Sequence, residues 1–180
     1  MVQRVFNVMG KFGGKFGGKF AFGAALLAVA AIAQPAAAFS SGNPRDVTAV
    51  HRDNGLIATV KTDKDGKPYI VDALGPVKFS TEFFDCNASK VDCASVIYTA
   101  SWGSSSAEPI SLAAINAWNR WTVMCPSYKD EAGAPNLWYG LRTTPADTPQ
   151  TVQIQLAEWK SCLTDFQEFL SDPDGWAKKH

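Results

Sequence analysis

Histidine is nearly missing from this chain: its 180 residues hold two, His51 and His180. Nucleophilic catalysis needs a base beside a serine or cysteine, and structural zinc draws on histidines or on Cys-x-x-Cys knuckles. No Cys-x-x-Cys spacing occurs, and the two histidines stand in the polar N-terminal stretch and at the last residue. No catalytic residue, cofactor or metal ligand is therefore assigned. Long apolar runs are scarce as well. Ala21 to Ala33 (AFGAALLAVAAIA) is the one such stretch, and its 13 residues are too few to span a bilayer core of about 30 Å. A basic excess is also lacking. Without the first 38 residues, 13 basic side chains face 17 acidic ones, a net charge of −4, and no basic stripe interleaved with aromatics remains. That excludes nucleic acid as the expected partner.

The N-terminus is ordered in another way. A basic stretch with Arg4, Lys11, Lys15 and Lys19 comes first and includes the repeat "KFGGKFGGKF" (Lys11 to Phe20). The short apolar run follows, and Ala36-Ala37-Ala38 supplies a small-residue cleavage site. This is the layout of a secretory signal over residues 1–38, cleaved after Ala38, with the repeat as a duplicated basic region. A transit peptide would be rich in Arg and Ser, and a helix lying on a membrane surface would need a sustained apolar stripe that the Gly pairs interrupt. Met9 is an alternative start that shortens the signal. No Cys lies near the cleavage site to carry a lipid, so a soluble periplasmic or secreted protein without stable membrane insertion is expected.

The remaining 142 residues suit one domain with its own core, and six Trp, four Tyr and six Phe are available to fill it. Residues 39–54 are polar, hold Pro44, and are expected to form a loose N-terminal arm containing His51; residues 172–180 are expected to be a C-terminal tail. All four cysteines, Cys86, Cys93, Cys125 and Cys162, lie in the exported part, where an even count implies pairing. Three connectivities exist. Cys86–Cys93 and Cys125–Cys162 are favoured because the first pair brackets a short polar loop, "NASKVD", between two strand-like runs. A four-Cys zinc site is the sharper alternative, weakened by the missing knuckle.

"LIATVKT" (Leu56 to Thr62), the turn "DKDG" and "PYIVDA" read as one hairpin, with Gly66 for the positive φ. "VKFSTEFF" and "ASVIYTASW" read as a second; "CPSYKD", the turn "EAGA" and "LWYGLRT" as a third. Ser111 can cap a helix over "LAAINAWNRW". Thr148 and Pro149 can open the longest helix, along which Val152, Leu156, Trp159, Leu163, Phe166 and Leu170 recur at alternating spacings of four and three. Strands paired as hairpins, with helices between and after them, predict an α+β domain: a mainly antiparallel sheet of hairpins covered by helices.

At this point a family likeness emerges. "GLIATVKTDKDGKPYI", "VKFSTEFFDCNASKVDCASVIYTASW", "SLAAINAWNRWTVMCPSYKDEAGAPNLWYGL" and "LAEWKSCLTDFQEFL" together resemble the YbjN-like family of bacterial sensory transduction regulators, over residues 55–171. The aromatic pair before Cys86, Cys93 downstream, "NAWNR" (Asn116 to Arg120) and "DEAG" (Asp130 to Gly133) carry the resemblance by their order. It implies a fold similar to type III secretion chaperones, a unit that often works as a homodimer, and no catalytic activity. Cys125, Cys162 and the "TPADTPQ" segment depart from the family pattern.

Three motifs compete with that reading. "KTDKDGKPYIVD" approaches a calcium loop, but Lys61 stands where the first carboxylate belongs, so a hairpin turn is expected. "NAS" (Asn87 to Ser89) fits a glycosylation sequon and is expected to be a polar loop. Asn116 and Asn119 are candidate recognition residues, though a backbone tie at the sheet edge is the favoured role for one of them. The expectation is a non-enzymatic binding or regulatory module acting on a protein partner of the envelope or periplasm. It would grip an extended segment along a sheet edge or aromatic groove, or touch a receptor's sensor part; a small-ligand binder with an aromatic pocket, or a hydrolase, is the alternative. In "LWYGL" strand alternation puts Leu137, Tyr139 and Leu141 on one side and Trp138 on the other, so Trp138 and Trp121 are the candidate contact residues.

Overall fold

The computed structural model describes residues 38–103 and 110–179, all within the unit formed by residues 37–180. The expected signal peptide therefore lies, apart from Ala38, outside the described residues. The elements in chain order are α1 (Pro44–Asp53), β1 (Thr59–Thr62), β2 (Pro68–Leu74), β3 (Val77–Phe84), β4 (Ser95–Ser101), α2 (Leu112–Trp121), β5 (Ser127–Lys129), β6 (Pro135–Arg142), α3 (Pro149–Ser171) and α4 (Pro173–Lys179). The strands form one antiparallel sheet in the order β1-β2-β3-β4-β6-β5, so the domain is α+β as expected.

Alternation dictates the sheet's two faces. In β3, Val77, Phe79, Thr81 and Phe83 are buried beneath the helices, while Lys78, Ser80, Glu82 and Phe84 turn outward. The register carries this across the sheet: Phe79 lies opposite Asp72 and Ala100, and Thr81 opposite Ile70 and Tyr98. Positive φ at Gly66 and Gly75 closes the turns on either side of β2, because only a residue without Cβ takes that region at no cost. The Asp63 carboxylate, which the calcium motif would have aimed at an ion, accepts the backbone N–H groups of Asp65 and Lys67 at 2.9 and 2.7 Å. It is a turn residue.

The long helix α3 begins where expected, with Thr148 as cap and Pro149 in the first turn. Its buried stripe is Val152, Leu156, Trp159, Leu163, Phe166 and Phe169; Leu170, expected in that row, is half-buried. At 100° per residue Leu170 still points along the stripe, but Trp118 of α2 and Trp176 of α4 pack against the end of α3 from the Phe169 side, so Phe169 is the residue they bury. Trp118, from α2, meets Phe166 and Phe169 at ring-centroid distances of 4.8 and 5.2 Å.

Two expectations are corrected at the ends of the domain. The stretch expected to be a loose arm forms α1, capped by Asn43, whose side chain accepts from the Arg45 N–H at 3.0 Å. Val47, Thr48, Val50 and His51 of α1 are all buried. Two of those four are polar, so the apolar period that betrays a helix is broken by residues the core nonetheless accepts. Residues 39–43 are also held. The Ser41 hydroxyl donates to Asp147, the Ser40 N–H to Asp46, and the Gly42 carbonyl accepts from the Cys93 N–H at 3.0 Å. A Cβ at Gly42 would stand 2.3 Å from the Cys93 carbonyl oxygen, which reserves the position for glycine. Burial works against the Asp147 carboxylate, but bonds from Ser41 and from the Thr144 backbone and hydroxyl hold its pKa below the ordinary value. A lowered folded-state pKa stabilises above the unfolded-state value, and that share is lost as the pH falls through the folded one. At the other end, the expected tail continues as α4, with the Trp176 ring tilted against Trp118 at a centroid distance of 5.1 Å and edge-on to Phe169 at 5.4 Å.

Both disulfides join the expected partners, Cys86 with Cys93 and Cys125 with Cys162, across sequence separations of 7 and 37. On the chain-entropy account these restrict the unfolded chain by about 2.5 and about 4 kcal/mol. Cys162→Ser is accordingly expected to lower the melting temperature of the oxidised protein more than Cys93→Ser, by roughly 3–6 °C. A thermal melt in which Cys93→Ser costs as much or more removes loop length as the deciding factor.

Candidate functional site

Helices cover one face of the sheet and leave the other bare among the described residues. On that bare face the register sets Trp138 beside Thr99, Gly140 beside Ile97 and Asn136 beside Tyr128. Trp138 is 37% exposed and lies back along its own strand: a Cβ on Gly140 would meet its ring at 2.8 Å. Glycine at position 140 is thus what lets the indole lie over the strand. Any larger residue there would lift it.

Beside Trp138 the sheet ends abruptly. Strand β5 pairs with β6 only from Lys129–Pro135 to Ser127–Leu137, after which the Trp138 N–H reaches Pro126 O at 3.1 Å. Pro126 has no N–H to continue the ladder. Cys125, one residue earlier, is buried and bonded to Cys162 on α3, which draws the chain out of the sheet. Trp138 turns its backbone toward β5, so alternation turns the N–H and C=O of Gly140 and Arg142 the same way. No strand among the described residues pairs with β6 there.

The segment between α2 and Pro126 adds apolar surface next to this gap. Val123 is 92% exposed, Trp121 52% and Met124 50%. Trp121 and Trp138 are both accessible, as a contact role requires, but they share no ring contact; one ends a helix and the other lies on the bare sheet face. Asn119 is committed elsewhere. Its amide accepts the Ser127 N–H at 2.7 Å and donates to the Ser127 carbonyl at 2.9 Å, clamping β5 to α2. This is the backbone tie, and it takes Asn119 out of the recognition set. Asn116 is exposed on α2.

A polar cluster that the sequence reading did not find lies under α1. His51 Nδ1 stands 2.7 Å from Asp72 Oδ2, and His51 Nε2 stands 3.2 Å from the Tyr98 hydroxyl. All three side chains are sealed from solvent. Burial foremost, then the neighbouring Tyr139 and Asp72, push the Tyr98 phenol well above its usual pKa. Tyr139 is raised likewise, by burial and then by the hydrogen bond it donates to Glu158 on α3. A carboxylate–imidazole–phenol chain has the parts of a proton relay, and here it is closed inside the core. It serves as an internal polar strut between α1, β2 and β4. The signal that could have found it was the pairing of a lone internal His with the one Asp inside a strand.

No family model, no curated protein and no solved structure matches the chain, so the resemblance to the YbjN-like family stands on the quoted residues alone.

Proposed function

We propose that this protein is an exported, non-enzymatic binding module that holds an extended segment of a protein partner against the free stretch of β6. The observation that carries this reading is the gap where β5 leaves the sheet. The free groups of Gly140 and Arg142 are backbone donors and acceptors at strand spacing, and an added strand is what satisfies such a row. Trp138 over Gly140 forms a platform on one side, and Val123 and Met124 offer apolar contacts beside it. Large aromatic side chains carry much of the binding energy at protein interfaces.

Export is supported by the signal-like N-terminus and by the two disulfides, which persist in oxidising compartments. Among the described residues no helix is long and apolar enough to cross a membrane. A partner in the envelope or periplasm follows from that location. A chaperone-like role, on a fold similar to type III secretion chaperones, follows from the family resemblance, as does a part in sensory signalling.

The test begins with protein recovered from the exported fraction, whose intact mass should start at Phe39. A photo-crosslinker at position 124 is expected to capture a specific partner segment, while the same probe at Ile154 on α3 captures none. Trp138→Ala should keep the circular dichroism spectrum and weaken binding of that segment by about 2 kcal/mol or more. Equal binding by the variant, or its unfolding, would make Trp138 a structural residue and end this reading.

A further inference from the structure

A second concavity lies on the bare face at the far side of the sheet, over the β1–β2 turn. It encloses about 300 Å³, at the small end of the range for ligand pockets. Tyr69 and Phe84 contribute half-buried rings; Glu82, Ser80, Asp63 and Lys67 contribute polar groups. The register explains how they meet. Tyr69 of β2 lies directly opposite Glu82 of β3, and Ser80 and Phe84 flank Glu82 on the same face. Asp63 and Lys67 belong to the turn, which is braced by the Asp63 N–H bonded to the Lys67 carbonyl at 2.9 Å. The turn occupies Asp63 Oδ1 and leaves Oδ2 free to face a ligand.

From this arrangement we infer a binding site for a neutral sugar ring. The charges decide against an ion. Asp63 and Glu82 are offset by Lys67 and by Lys61, which the register places opposite Tyr69 on the same face. A cation would meet the Lys67 ammonium in the hollow, with Lys61 beside it on the same face, and an anion would meet two carboxylates. A purely apolar ligand would cover the rings but strip water from four polar side chains without replacing their hydrogen bonds, which is costly. A pyranose satisfies both demands. Its C–H face stacks on an aromatic ring, and its hydroxyls donate to Glu82, to Asp63 and to the Ser80 oxygen, whose own proton goes to Glu82, while accepting from Lys67. The site shares no residue with the β6 edge, so failure of either reading leaves the other standing.

The experiment is an NMR titration of the isotope-labelled, oxidised protein with glucose, N-acetylglucosamine and their β-linked disaccharides. Tetramethylammonium, inorganic phosphate and indole serve as the cationic, anionic and apolar comparisons. At least one sugar is expected to give saturable shifts at Tyr69, Ser80, Glu82 and Phe84, with a dissociation constant of about 1 mM. Tyr69→Ala and Glu82→Gln should each weaken it about tenfold or more with the rest of the spectrum unchanged, and Tyr69→Phe should retain binding. Three results would overturn the inference: no saturation by any sugar, stronger shifts at these residues from a comparison compound, or equal affinity in both weakened variants.

Discussion

His51→Ala is expected to lower the unfolding free energy by about 3–5 kcal/mol, a large share of the roughly 5–15 kcal/mol that holds a domain of this size. The imidazole is fully buried and is the hydrogen-bonded partner of Asp72 Oδ2. Asp72 Oδ1 has no hydrogen-bond partner among the described residues, so removing His51 would leave the whole carboxylate buried and unmet. The Tyr98 hydroxyl would lose its partner as well, and a cavity would open under α1. Urea unfolding of the oxidised protein measures the effect. A double-mutant cycle with Asp72→Asn should return a coupling on the order of 1–3 kcal/mol, because the two side chains form one unit. Should His51→Ala cost less than about 1 kcal/mol, α1 is held by its apolar residues alone and the strut is incidental.

Trp118→Ala should be at least as damaging, at about 4 kcal/mol or more. Its ring is fully buried against Phe166, Phe169 and Trp176, so it joins α2 to both C-terminal helices. Its indole N–H donates to the Cys125 carbonyl at 2.8 Å, just before the chain enters β5. Truncation would open a large void and orphan that carbonyl at once. Trp118→Phe keeps a ring in place and loses chiefly the hydrogen bond, so it should cost only about 1–2 kcal/mol. Thermal and urea unfolding should therefore rank the two variants clearly apart. If alanine and phenylalanine prove equally mild, the aromatic cluster is not what fastens α2 and α4.

The elements legible in the sequence are those whose side chains follow one simple period. Strand β3, helix α2 and helix α3 were bounded correctly by alternation or by caps, since Ser111 and Thr148 satisfy first-turn N–H groups that would otherwise be bare. Helix α1 was not legible. Its buried face mixes Thr48 and His51 with two valines; Thr48 donates to the carbonyl of Pro44 within the helix, and only the surrounding core makes His51 tolerable by offering Asp72 and Tyr98 as partners. Leu170 gave way to Phe169 because the rings of Trp118 and Trp176, brought in from α2 and α4, close over the Phe169 side of the helix end, which no period within α3 announces.

The sequence by itself determined the α+β class and the outward direction of Trp138, because each depends on local spacing, and it favoured the disulfide pairing that the structure shows. Two strand-like runs flank the short loop between Cys86 and Cys93, and a strand turns successive side chains to opposite faces. The strand order, the bare face and the break in β5 were decided only by tertiary structure. They depend on where distant segments meet: β6 inserts between β4 and β5, and Cys162, 37 residues away along the chain, pulls Cys125 out of the sheet. The same holds for the hollow beside Tyr69, whose aromatic and charged groups share a face through cross-strand register rather than through nearness in sequence.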